Sequence, residues 1–320
     1  MSDFNNTAMQ DPIYNRIKSE PRPTLFAASG VVLLAAVGLW ISSLAESLLP
    51  DANMALVNAL YYLPFMVLPV GLYALRRPGL GDAMRLKALP VLPTLSAALL
   101  GLLTVYVASI LSAGWAACLD ALGLHGLGGV AAPQSERELL VDILTLAAMP
   151  AICEELLFRG FVLSAWESRG TWFAIGVTAT LFALLHGNLY GIPAYLLVGA
   201  VAGYLAFALD SVYAAMVYHT VYNTACLVIP YLAANQATAD VTIDAAAVFS
   251  LAVQTAMIAS MMAMLLATLR ARAHRAGIEP IPRIQRPLEG REKAMLLAAV
   301  LVMTASMVIL LILSTRGGVA

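Results

Sequence analysis

Charge is what this sequence has least of. Only 12% of its 320 residues are Asp, Glu, Lys or Arg, against about 25% in ordinary soluble domains. Hydrophobic residues make up 61% of the chain. A soluble core cannot absorb that much apolar surface, so the expected solvent is lipid. Cysteine is equally sparse. Cys118, Cys153 and Cys226 sit singly in apolar surroundings with no CxxC pair, which excludes a disulfide scaffold and a zinc knuckle. The sequence also has no glycine-rich phosphate loop, no HExxH, no GxSxG and no internal repeat. With no nucleotide-binding signature, no nucleic-acid partner is expected. No short apolar region with a small-residue cleavage site opens the chain, so no cleavable signal peptide is expected either.

What is present is a series of long apolar runs. A helix that crosses a bilayer needs about 20 mostly apolar residues. Nine stretches approach that length: 25–45, 54–75, 91–118, 138–165, 171–187, 189–209, 211–232, 245–269 and 294–314. They predict an all-α polytopic transmembrane helix bundle of eight to nine spans. The fifth is short and the fifth to seventh are joined by tiny loops, which predicts tilted or broken helices there. The expected organisation is a tail over 1–24, transmembrane helices over 25–137, a core over 138–232, and further transmembrane helices over 233–320.

The few charges are unevenly placed. Arg16, Lys18 and Arg22 precede the first span; Arg76, Arg77, Arg85 and Lys87 follow the second; Arg169 follows the fourth. Seven more basic residues, among them Arg270, Arg272, Arg275, Arg283 and Arg286, fall in a proline-broken linker over 270–293. The alternate loops carry only Arg137 and Arg316, with Asp51, Asp240 and Asp244. Basic loops stay in the cytoplasm. The N-terminus is therefore expected inside and the C-terminus outside, with the linker as a surface anchor attracted to anionic lipid.

Against this background three polar runs stand out. An ionisable side chain at mid-bilayer costs about 2.5–3.5 kcal/mol by insertion scales, so each is a functional candidate. The fourth span holds Glu154, Glu155 and Arg159, the fifth Phe182 and His186, and the seventh His219 and Asn223. Of the four histidines, only His125 and His274 lie in loops. Glu155 and Arg159 are four residues apart on one helical face, the spacing of an ion pair. Glu154 points about 100° away and has no partner on its own helix. It is the candidate general base. His219 and Asn223 share a face, as do Phe182 and His186. Glu154 and His219 come out roughly 12–17 Å from the inner end of their spans at 1.5 Å per residue, while His186 comes out deeper. Water-mediated amide hydrolysis fits this set: a glutamate takes a proton from water, and a histidine with an asparagine amide donates to the oxyanion. Cys153 adjoins Glu154 in sequence, but neighbours on a helix do not face one another, and no nucleophilic role is expected for it.

The runs Glu154-Glu155-x-x-x-Arg159, Phe182-x-x-x-His186 and His219-x-x-x-Asn223 resemble the EExxxR, FxxxH and HxxxN/D motifs of the intramembrane glutamic proteases. That family includes the type II CAAX prenyl endopeptidases and the bacterial abortive-infection and bacteriocin-processing proteins. The resemblance covers about residues 138–232. It implies that Glu154 activates water with help from His186, that His219 and Asn223 form an oxyanion hole, and that Glu155 and Arg159 organise the site. It also implies a multi-pass protein, expected in a bacterial inner membrane, acting on a peptide or membrane-protein substrate. No cofactor is expected. Zinc on Glu154, His186 and His219 is the alternative, although no two ligands share an i,i+4 metal spacing on one helix. The other readings are a transporter or proton relay, in which the same groups carry protons, and a non-catalytic immunity or scaffold protein.

Overall fold

Backbone groups in lipid have no water to bond, so a chain this apolar satisfies them within helices. The computed structural model describes residues 21–48, 54–124, 132–234, 245–283 and 287–317, and among these it contains ten helices and no strand. In chain order they are α1 (Leu25–Leu48), α2 (54–75), a short α3 (Leu80–Ala83), α4 (Val91–Ala121), α5 (136–166), α6 (Thr171–Leu185), α7 (Ile192–Ala208), α8 (Val212–Ala234), α9 (Ala245–Arg275) and α10 (Gly290–Gly317). Arg16, Lys18, Asp51, His125, Asp240, Asp244 and Arg286 lie outside the described residues, as do residues 1–20 of the expected tail and the side chain of Arg316.

Seven helices are long and apolar enough to cross a membrane: α1, α2, α4, α7, α8, α9 and α10. The fourth and fifth apolar stretches form helices but are not among the seven. α5 carries Glu154, Glu155 and Arg159 within six residues, and α6 is 15 residues long. Both lie inside the bundle. α5 packs on α1, α2, α6, α7 and α8, so its polar groups meet protein in place of lipid. α10 covers α1, and α9 covers α4 and α7. Close approach of the inner helices depends on two glycines. A Cβ at Gly101 would meet the carbonyl oxygen of Tyr218 at 2.6 Å, and one at Gly199 would meet Ala179 Cα at 3.0 Å.

The loops predicted to be basic converge at one end. Glu167, fully buried between α5 and α6, accepts from Arg85 at 2.7 and 2.8 Å and from Arg22 at 3.1 Å. Burial alone would raise the Glu167 carboxyl; the charges of Arg85 and Arg22 outweigh it and hold the group below its ordinary value of 4.5. Asp210, between α7 and α8, pairs with Arg85 and Lys87. The expected surface linker is only partly that. α9 runs on to Arg275, and the segment after it docks on the α5–α6 turn, where Thr171 and Ile281 exchange two hydrogen bonds. The turn is closed by Gly170 at φ +113°, where a Cβ would lie 2.8 Å from Arg283 Cα.

Candidate active site

α5 is not a uniform helix. Two of its stretches, Ile143–Ala148 and Leu156–Val162, are widened turns, closed by i to i−5 bonds from Met149 to Leu144 and from Leu163 to Phe158. Pro150 explains the first: it has no N–H for a normal bond, and its ring crowds the carbonyl four residues back. A matching widened turn, Leu63–Val67 in α2, precedes Pro69. No proline accounts for the second turn of α5, which begins directly after Glu155. Widened turns of this kind recur at functional sites.

That turn sets Arg159 beneath Glu155. The guanidinium donates to Glu155 Oε1 at 2.7 Å and to the Gly199 carbonyl at 2.8 Å, and lies 4.6 Å over the Phe182 ring. Both residues are fully buried. A Cβ at Gly199 would come within 3.3 Å of the same guanidinium, so glycine keeps that carbonyl within reach. His219 of α8 donates from Nδ1 to the same Glu155 oxygen at 2.8 Å. The ionised carboxylate accepts only, so the proton belongs on Nδ1, and Nε2 becomes a donor only in the imidazolium form. Glu155 Oε2 has no hydrogen-bond partner among the described residues.

Glu154 faces elsewhere. It is 7% exposed, and its Oε1 accepts from the hydroxyl of Tyr62 on α2 at 3.0 Å. His186 stands just past the end of α6, partly buried, with Nδ1 donating to the Phe182 carbonyl at 2.8 Å. Its Nε2 is thereby left as an acceptor. The His186 ring stacks on Tyr195 of α7 at 4.0 Å, and Glu154 is within electrostatic range of it. Phe182 turns an edge-on ring to both histidines, 4.6 Å from His186 and 5.6 Å from His219. Phe182 thus lies between the two histidine rings. Asn223 lies one turn beyond His219, partly buried, and its amide makes no hydrogen bond with any described residue.

The seven residues singled out in the sequence therefore lie on the three inner helices α5, α6 and α8 or, for His186, directly after α6. Direct hydrogen bonds join Glu155, Arg159 and His219; Glu154, His186 and Asn223 border the same region without bonding to them. Sequence reasoning missed Tyr62, Tyr195 and Gly199. Among the described residues no three His, Cys, Asp or Glu side chains come together as a metal site.

These residues form a helical bundle that holds a buried carboxylate, an Arg-paired second carboxylate and two histidines among apolar helices. Residues 136–225 match the family described as type II CAAX prenyl endopeptidase Rce1-like. This segment contains Glu154, Glu155, Arg159, Phe182, His186, His219 and Asn223, and spans under a third of the chain. Comparison with curated proteins gives no match, and comparison with solved structures gives none. The apolar helices and the Rce1-like match together make this an integral membrane protein.

Proposed function

We propose that the protein is an intramembrane endopeptidase that hydrolyses peptide bonds of membrane-associated substrates with a glutamate-activated water. The observation that carries this reading is Glu154, a buried carboxylate oriented by a tyrosine hydroxyl and within electrostatic range of His186, inside an apolar bundle. In the reaction Glu154 takes a proton from water as the oxygen attacks the scissile carbonyl carbon, and His186 Nε2 accepts a hydrogen bond from that water. The carbonyl oxygen becomes an oxyanion that receives donors from the Asn223 amide and from His219 in its imidazolium form. Glu155 fixes the His219 ring through Nδ1, and Arg159 in turn fixes Glu155. The Glu154 proton then passes to the amine nitrogen as the C–N bond breaks, and the new carboxylic acid and amine leave. No step needs a metal. The Rce1-like match supports a prenylated CAAX-type C-terminus as the substrate class, and the basic end supports a cytoplasmic N-terminus, with Arg22, Arg85 and Lys87 on that side.

The test is cleavage of a farnesylated CAAX peptide by the full chain in detergent or liposomes. Glu154→Gln is expected to lower kcat by about 10²–10⁴-fold, the usual worth of a general base. His219→Ala is expected to lose a similar amount. Cleavage retained in Glu154→Gln overturns the glutamate mechanism. Cleavage that a chelator abolishes and zinc restores replaces it with a metal mechanism. Proton or solute flux lost in both variants, without proteolysis in the parent protein, would make it a transporter.

A further inference from the structure

The last turns of α9 carry four basic residues with two different fates. Arg270 and His274 both pair with Glu279 in the segment that follows the helix. Arg272 and Arg275 are exposed and have no carboxylate partner among the described residues. These two instead rim a groove of about 460 Å³ between the start of α4 and the end of α9. The walls below them are Leu92, Leu265 and Leu269. Ser96 and Thr268 also line the groove, but their hydroxyls donate to carbonyls of their own helices, Leu92 and Met264, so they add no free donor. α9 is otherwise exposed through Val253, Met257, Met261 and Met264, the face a membrane helix turns to lipid. The groove is thus an apolar channel along the hydrocarbon that ends in two unpaired positive charges at the basic end of the bundle.

We propose that this groove is a binding site for one anionic phospholipid, with an acyl chain against Leu92, Leu265 and Leu269 and the phosphate held by Arg272 and Arg275. Basic pockets between transmembrane helices on the cytoplasmic side suit such headgroups. Charge complementarity selects the occupant. A free phosphate leaves the leucine wall uncovered, and a zwitterionic lipid brings its own ammonium toward the arginines. The site is separate from Glu154 and does not depend on any peptidase activity.

Native mass spectrometry of the full chain in detergent tests it, with phosphatidylglycerol and phosphatidylcholine of identical chains supplied in equal amounts. Retention of phosphatidylglycerol over phosphatidylcholine is expected. The double variant Arg272→Gln/Arg275→Gln is expected to lose that lipid roughly tenfold or more, since each arginine near the surface contributes attraction for anionic headgroups. Leu265→Trp fills the groove without touching the charge and is expected to lose it as well. Arg76→Gln/Arg77→Gln removes the same charge from another exposed part of the basic end and is expected to retain it. Equal loss in that control, equal retention of both lipids by the parent protein, or undiminished binding in both groove variants would each overturn the assignment.

Discussion

Glu154 and Glu155 are adjacent in the chain and share no neighbour to which either is hydrogen-bonded. Glu155 gives one oxygen to Arg159 and His219 together, and removing Arg159 would leave a buried charge uncompensated at a cost of about 3–5 kcal/mol. Glu154 has a single tyrosine hydroxyl. Tyr62→Phe removes that hydroxyl and almost no volume. A hydrogen bond to a charged group contributes about 1.5–3 kcal/mol, so kcat on a farnesylated CAAX peptide is expected to fall roughly ten- to a hundredfold with KM unchanged. A change in KM alone would make Tyr62 a substrate contact and not a positioning residue. The division between the two glutamates was legible in the sequence, because a spacing of four with opposite charges fixes which one Arg159 takes. Tyr62 was not legible. It is one of two adjacent tyrosines in a run apolar on all sides, and nothing in such a run says which face meets which helix.

At the level of elements, the site exists because helices approach more closely than side chains would normally allow. Gly199 lets α7 lie against Ala179 of α6 while its carbonyl accepts from Arg159. Gly199→Ala is expected to destabilise the protein by about 1–3 kcal/mol through overpacking, seen as a lower unfolding temperature in detergent. Gly176→Ala, whose Cβ meets nothing within 4 Å, should leave that temperature unchanged or raise it. The sequence marks both glycines alike and gives no means of telling them apart. The nine longer helices and their order were readable from apolar runs; the short α3 was not, nor that α5 and α6 fall outside the seven spans. The widened turns were only half readable. Pro69 and Pro150 announce two of them, but the turn beneath Glu155 has no proline to announce it.

Across the whole molecule, the loops at the basic end are tied through one buried carboxylate. Arg22 before α1, Arg85 after α2 and the α5–α6 turn meet at Glu167. Its folded value lies below the ordinary 4.5, so its contribution to stability is complete above that pH and fades as pH falls through the lower folded value. Glu167→Gln should therefore be less stable near neutrality by about 3–5 kcal/mol, with the gap to the parent closing in acid. Thermal unfolding followed from pH 7 to pH 3 measures this; a gap independent of pH would assign the loss to packing. The orientation rule read these arginines as a topological signal only. That they also clasp an acidic turn was invisible, because Glu167 is separated from Arg85 by 82 positions and from Arg22 by 145.

The concealment of α5 and α6 within the bundle bears on how the protein is made. A segment released singly into lipid with Glu154, Glu155 and Arg159 would meet an insertion cost of about 2.5–3.5 kcal/mol for a lone charge, and pairing offsets only part of the total. α6, at 15 residues, falls short of the usual spanning length. Neither helix is a natural unit of insertion. The two helices are therefore expected to enter the hydrocarbon together with α7 and α8, against which they pack, and not one at a time.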